Sequence, residues 1–205
     1  MKWLGKVAVI TIILALVAIG LALGAAWRFR AVFNPDPTSI ARASLEAVRA
    51  QDRLTPFAAR FVAVVTSEQK RFGFSAKKTL IMPGLVRYSL DLAKLRDRDL
   101  KWDAMTRTLA VTLPAIEIEG PEVDLTATRE YGEGGVLMAL THAEQDLDAA
   151  NRRAGQTELL KQARDPLPTR LARDAARGAI ERSFALPLKA AGLEATVTAK
   201  FADEK

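Results

Sequence analysis

Twenty consecutive residues without a charge, Val7 to Ala26 (VAVITIILALVAIGLALGAA), constrain this chain more than any other feature in it. At about 1.5 Å of rise per residue the run spans about 30 Å, the thickness of a bilayer's hydrocarbon core, so it is predicted to form a single transmembrane helix. A cleaved signal peptide carries a shorter apolar stretch of about 7 to 15 residues, which argues for a retained anchor even though Gly24-Ala25-Ala26 would serve as a cleavage site. Trp3 on one side and Trp27 with Phe29 on the other are placed like an interfacial aromatic belt, and Arg28 and Arg30 are long enough to snorkel to head groups. Basic residues nearly balance across the run, Lys2 and Lys6 before it against Arg28, Arg30 and Arg42 after it. A short basic tail (1–6) ahead of a lone span has the form of an uncleaved export signal. It leaves the tail in the cytoplasm and the remainder outside, in the periplasm of a bacterial inner membrane.

The remainder is long enough for one domain with its own core. It contains no cysteine, so neither disulfides nor thiolate metal sites are available and packing must supply the stability. The net charge of +6 shrinks once Lys2 and Lys6 are set aside, and the charges are interspersed with no block of five or six Lys or Arg. Nucleic acid is therefore not an expected partner.

Asn34-Pro35-Asp36-Pro37 breaks any helix leaving the span. Thr38 or Ser39 is then placed to cap a helix with Ile40, Ser44, Leu45 and Val48 on one stripe, within a linker and stalk segment, 27–56. The stripe is too short for a dimerising coiled coil and suits a helix lying on its own domain. From residue 57 to 205 an α+β domain is expected, with a mainly antiparallel sheet and C-terminal helices packed on it. Arg60–Thr66 reads as a buried strand. Thr79–Met82 reads as another, closed by the turn pair Pro83-Gly84. Val86, Tyr88, Leu90 and Leu92 alternate with polar positions, as do Leu109, Val111 and Leu113 until Pro114, which predicts an antiparallel meander. Thr141-His142-Ala143-Glu144 has the form of a capping box, a second helix opens near Thr157 and stops before Pro166, and a third from Pro168 presents Ala172, Ala176, Ile180 and Phe184. The chain closes on Leu193, Ala195, Val197, Ala199 and Phe201, which alternate with Glu194, Thr196, Thr198 and Lys200. Strands, then helices, then a returning strand predict α+β rather than parallel winding.

Taken in order, these pieces resemble the domain of unknown function 4230 family of bacterial membrane-anchored proteins. The resemblance rests on the N-terminal span, Pro83-Gly84 leading into Val86 to Leu92 with its Asp91-Leu92 pair, and Leu109 to Pro114 followed by acidic positions. Gln162-Ala163 in a late helix, Gly192 and the final strand complete it. It covers most of Phe57 to Phe201 and implies location and architecture only, since the family has no assigned site residues to carry over.

Candidate chemistry is sparse. His142 is the sole histidine, so a histidine metal site or relay has one place to form, and its position in a capped first helical turn suits a solvated residue better. Glu117, Glu119, Glu122 and Asp124 are oxygen ligands in type, yet they alternate with Ile116, Ile118, Val123 and Leu125 as a half-wet strand pair does, with Gly120-Pro121 as the turn between. Gly132-Glu133-Gly134-Gly135 lacks the Lys-Ser/Thr of a phosphate loop and the strand-to-helix context, and reads as a hairpin tip. Arg170, Arg173, Arg177 and Arg182 form a basic helix face, interrupted by Asp174 and Glu181, that suits an anionic lipid surface or an acidic protein. No residue is assigned a catalytic, cofactor-binding or metal role. The sequence favours a single-pass membrane-anchored envelope protein whose soluble domain binds or organises a partner. The alternative is a hydrolase-type or metal-dependent enzyme built from scattered carboxylates.

The strict alternation of the last strand predicts that it pairs inside the sheet, with the late helix packed across that sheet. Val197→Asp places a carboxylate on the dry face and is expected to cost several kcal/mol, whereas Thr198→Asp, on the other face, costs much less. Thermal melting of the two variants measures the contrast, and equal, mild effects would refute the assignment of faces.

Overall fold

The computed structural model describes residues 17–22, 24, 36–133 and 135–204. Most of the predicted span, with its flanking aromatics and basic residues, lies outside them. Among the described residues no helix is long and apolar enough to cross a membrane. From Asp36 onward the chain forms helix α1 (Pro37–Arg49), strands β1 (Arg53–Arg71) and β2 (Phe74–Asp91), and two 3-10 turns (Leu92–Lys94 and Asp97–Asp99). Strands β3 (Leu100–Asp103), β4 (Thr108–Leu113), β5 (Glu117–Val123) and β6 (Arg129–Glu133) follow. Helices α2 (Gly135–Leu140), α3 (Ala143–Ala163) and α4 (Pro166–Ala190) precede the last strand, β7 (Thr196–Phe201). The fold is α+β with mainly antiparallel sheets and C-terminal helices, as expected. It contains two sheets in place of one meander: a four-stranded sheet in which β2 pairs with β1, β5 and β6, and a three-stranded sheet in the order β3-β4-β7.

The β1–β2 hairpin dominates the larger sheet. Its register is continuous from Arg71↔Phe74 to Phe57↔Tyr88, with an irregularity beside Pro56, where proline has no N–H to offer a ladder. The two-residue loop Phe72-Gly73 holds both residues at positive φ, 53° and 79°, the primed geometry that matches strand twist. Two sequence expectations fail along this hairpin. Arg60–Thr66 is not buried on both faces: Ala63 is fully buried, but Val62 and Val64 are 48% and 62% exposed, because helices cover one side of the sheet only. Pro83-Gly84 is not a turn but the middle of β2. Pro83 is tolerated because β2 changes partner there, from β6 opposite Lys77–Ile81 to β5 opposite Gly84–Ser89, so no far-side ladder needs its missing N–H. Its carbonyl accepts instead from the Asp124 N–H at 3.0 Å.

Gly120-Pro121 likewise lies within β5 rather than between two strands. Gly120 adopts φ +105°, and a Cβ there would meet the Leu85 carbonyl oxygen at 3.0 Å, so only glycine passes this point while the register with β2 shifts between Leu85 and Arg87.

Helix α3 is one continuous helix of 21 residues and does not restart at Thr157. Its buried positions, Ala143, Leu147, Asn151, Gly155, Leu159 and Ala163, form a strict i, i+4 row. At about 100° per residue such a row climbs about 40° around the helix per step, so no straight stripe runs its length and the sequence looks like two helices. The predicted capping box does not form either: Thr141 accepts from the Ala143 N–H at 3.2 Å, while Glu144 turns toward Lys78 (3.6 Å). Helix α1 is capped by Asp36, not Thr38 or Ser39, whose N–H groups donate to it at 3.1 and 3.2 Å. Its face of Ala41, Leu45 and Val48 enters the main core, so it lies on its own domain.

Helix α4 buries Ala172, Ala176, Ile180, Phe184 and Leu188, the expected stripe extended by one residue. Ala172 packs with Val86, Tyr88 and Ala163 of the larger sheet's layer. Ile180 and Phe184 pack with Leu109, Val111, Ala199 and Phe201 of the smaller one, so α4 joins the two. Strand β7 pairs with β4 in parallel, Val197↔Leu109 to Phe201↔Leu113, and forms an edge of its sheet rather than an interior strand. The expected alternation is clear at Ala199 and Phe201, both buried around exposed Lys200, whereas Thr198 is half-buried like Val197, and Leu193 and Ala195 precede the strand.

Tyr88 is fully buried and donates its hydroxyl to the Ala163 carbonyl at 2.7 Å, tying β2 to the end of α3. Tyr88→Phe leaves that carbonyl without its partner and is expected to lower stability by about 1–2 kcal/mol, read as a lower denaturation midpoint at unchanged m. Phe184→Ala, which empties space between the sheets, is expected to cost about 3–5 kcal/mol.

Candidate functional site

The two faces of the four-stranded sheet differ in chemistry. The inner face is covered by α3 and α4. Among its side chains Lys78 is 7% exposed, with its ammonium on Glu130 (3.0 Å), Glu144 (3.6 Å) and Asp148. Burial alone would lower the Lys78 pKa, but the hydrogen bonds its ammonium donates to Asp148 and Glu130 outweigh it and hold it above the usual lysine value. Asn151, also buried, donates to the Lys78 carbonyl at 2.8 Å. This cluster was not anticipated, although Glu144 and Asp148 at i, i+4 with Lys78 in the buried phase of β2 were its signal. Beside it a cleft of 420 Å³ opens between β2, the loop after β5 and α3, lined by Leu80, Met82, Leu125, Glu130, Arg152 and Gln156 among others.

The outer face divides along the strands. At the end nearest Arg53 it is a lattice of opposite charges. Arg53 pairs with Glu117 (2.9 Å) and Glu119, Lys94 with Glu117 (2.5 Å) and Asp91 (3.2 Å), and Arg87 with Glu122, while Ser89 donates to Glu119. A hydrogen bond from Lys94 holds Glu117 below the usual carboxylate range, and one from Ser89 does the same for Glu119. Asp124, below its usual value through Thr126, closes the loop after β5 by accepting from the Thr126 and Ala127 N–H groups at 3.1 Å. The four acidic candidates are thus engaged by cations and N–H groups. Among the described residues no group of three His, Asp or Glu is arranged to hold a metal ion.

Farther along the hairpin the outer face is mixed, with exposed apolar residues set among Thr66, Thr79, Glu68 and Lys77. The register places Val62 and Val64 beside Pro83 and Ile81, and Tyr131, 60% exposed, beside Thr79. The hairpin then runs on to its tip, where Phe72 is 88% and Phe74 51% exposed between Lys70, Arg71 and Lys77. A bulky residue at positive φ costs about 1 kcal/mol where Asn or Gly would not, and Phe72 sits there in the open.

The remaining sequence candidates are dispersed. His142 is exposed at the start of α3. Gly132 and Glu133 end β6, and α2 begins at Gly135, so the glycine-rich segment does stand between strand and helix, contrary to the expected hairpin tip; α2 has only six residues. Arg173 and Arg177 do not form a free basic face. Both lie over the Phe201 ring, at 4.2 and 5.5 Å, and bind Glu204; Arg173 also takes Asp203 bidentately at 2.6 and 2.8 Å. The chain's end had no periodic signal to reveal this latch.

Because Glu117 and Glu119 have lowered pKa values in the folded state, they stabilise the fold above the ordinary glutamate value of 4.5, and that contribution is lost as pH falls through their folded values. Glu117→Gln with Glu119→Gln is expected to destabilise at pH 7, and the difference from wild type should shrink as the pH drops below 4.5. Urea melts across that range test it; a difference independent of pH would refute it.

The family model described as "Protein of unknown function (DUF4230)" matches residues 46–199, from the end of α1 into β7. No curated protein and no solved structure matches this chain. With three quarters of its length inside that match, the chain belongs to the DUF4230 family.

Proposed function

We propose that this chain is a single-pass membrane-anchored envelope protein of the bacterial inner membrane, its domain in the periplasm, and that the domain binds or organises a partner through the β1–β2 hairpin. The observation that carries the binding role is a pair of exposed aromatics, Phe72 and Phe74, at the hairpin tip, with a second exposed apolar pair, Val62 and Val64, farther down β1 beyond Thr66, Glu68 and Lys70. Single exposed apolar residues are ordinary, but two exposed apolar pairs on one hairpin, one of them aromatic and at its tip, suit a contact surface. The anchor is supported by the uncharged run 7–26. Its described part, residues 17–22, is helical, with Val17, Ile19 and Leu21 at 53%, 54% and 70% exposure, suited to lipid rather than to a core. An enzyme assembled from the acidic cluster is less well supported, because those carboxylates are ion-paired and Glu117, Glu119 and Asp124 are held below the usual range, where they are poor general acids at neutral pH.

Two measurements test this reading. A reporter fused after Lys205 is expected to be active as alkaline phosphatase and dark as a fluorescent protein that matures only in the cytoplasm; the opposite pattern overturns the orientation. Phe72→Asn relieves the turn and is expected to stabilise the domain by about 1 kcal/mol while weakening complex formation in native membranes. A variant more stable and equally associated would remove the tip from the binding surface.

A further inference from the structure

Strand β1 is an edge of its sheet along all 19 residues, with no strand on its outer side among the described residues. Proteins ordinarily blunt such edges with charge, proline, bulges or a covering element, because unpaired N–H and C=O groups template further pairing. At its start β1 has Pro56 and the irregularity beside it, and toward the tip Glu68, Lys70 and Arg71. Between them Phe61-Val62-Ala63-Val64-Val65-Thr66-Ser67 has neither a charge nor a proline.

The backbone phase of this stretch follows from Pro83. Pro83 faces Val62, has no N–H, and gives its carbonyl to Asp124 on the other side, so the polar groups of Val62, and with them those of Arg60, Val64, Thr66 and Glu68, point to the free edge. One of these groups has a local partner: the Val62 carbonyl accepts from the Gln162 side chain at 3.3 Å, a long contact from a flexible residue. The same residues direct their side chains to the outer face, where Val62 and Val64 stand exposed.

We propose that the β1 edge pairs with β1 of a second copy of this chain, antiparallel about a two-fold axis at Val64. In that register Val64 faces Val64, Val62 faces Thr66, and Arg60 faces Glu68, so each copy offers the opposite charge at both ends of the uncharged stretch. Registers shifted by one paired position put Arg60 opposite Thr66 or opposite Lys70, losing the charge match or reversing it. Arg60 is free to respond: its side chain is 65% exposed and among the described residues its one ion pair is with Asp124, at 3.9 Å. Glu68 now holds Lys70 at 3.1 Å, an exposed pair that is readily exchanged. The nine positions from 60 to 68 span about 30 Å and would form about ten main-chain hydrogen bonds, joining two four-stranded sheets into one. An isologous contact of this kind closes on itself and stops further edge growth. This inference deepens the reading of the hairpin as a binding surface and rests on it.

The chain has no cysteine, which makes the test clean. In the full chain in its native membrane, Val64→Cys alone is expected to give a covalent dimer with a short bifunctional thiol reagent. Val62→Cys and Thr66→Cys are each expected to give little alone and to crosslink to one another when co-expressed. Arg60→Glu or Glu68→Arg alone should reduce the Val64→Cys dimer at least fivefold, and the double exchange should restore it; rescue separates pairing from a folding defect. Crosslinking of Val64→Cys only to a different protein would overturn self-pairing while leaving the binding surface in place, and absence of any crosslink would count against both. Strong dimers from Val62→Cys alone, or no rescue by the double exchange, would overturn the register.

Discussion

Everything in this domain is arranged around the inner row of β2. Leu80, Met82, Val86, Tyr88 and Leu90, with Leu92 just beyond the strand's end, are all buried to 3% exposure or less, and β2 is the one strand of its sheet with partners on both edges. Such a row cannot be left wet, since each large apolar side chain buried is worth about 1.5–3 kcal/mol, and it is too long for one helix to cover. Helix α3 covers the part from Leu80 to Tyr88, and the end at Leu90 and Leu92 is shared with α1, α4 and the smaller sheet. The second sheet exists because that end of β2 needs a cover, and α4 crosses from one sheet to the other because its own row does not stop at the boundary.

The outer face follows a different logic. Near Arg53, β5 supplies carboxylates opposite the cations of β1 and β2, and the face is closed by paired charge. Beyond Pro83 the partner strand changes from β5 to β6, the dense charge lattice gives way to isolated charges such as Glu68 and Glu133, and Val62, Val64 and the aromatics of the tip stand exposed among them. The same local event, a proline in mid-strand, therefore separates a self-satisfied surface from an unsatisfied one, and on the proposed reading it separates scaffold from contact surface. The carboxylates that looked most like chemistry in the sequence are the ones most fully committed to holding the sheet.

Period two was legible wherever one face is dry, as in Val86 to Leu92, Leu109 to Leu113 and Val197 to Phe201, because strand burial repeats every second residue whatever lies above it. The α4 stripe was legible for the corresponding helical reason. Reading failed where a residue's local preference was overridden by pairing. Pro83-Gly84 and Gly120-Pro121 are turn formers in isolation and became strand interior because β2 exchanges partners between them. The row on α3 drifts around the helix, so its continuity shows only against the twisted sheet it follows. Of the candidate surface, the sequence showed the acidic alternation but not that Val62 and Val64 are exposed, since a run of apolar residues is the same whether one or both faces are covered.

By itself, then, the sequence determined the uncharged N-terminal run, the α+β class, and which residues of each strand and of α4 share a face, since these follow from charge, periodicity and the backbone limits of proline. Tertiary structure alone decided that there are two sheets, that β7 joins β4 in parallel, that Lys78 is buried among three carboxylates, that Arg173 and Arg177 are held by the chain's end, and that β1 is an edge. Each of these depends on which distant segment lies alongside, and pairing partners far apart in the chain leave no mark on the local pattern of either one.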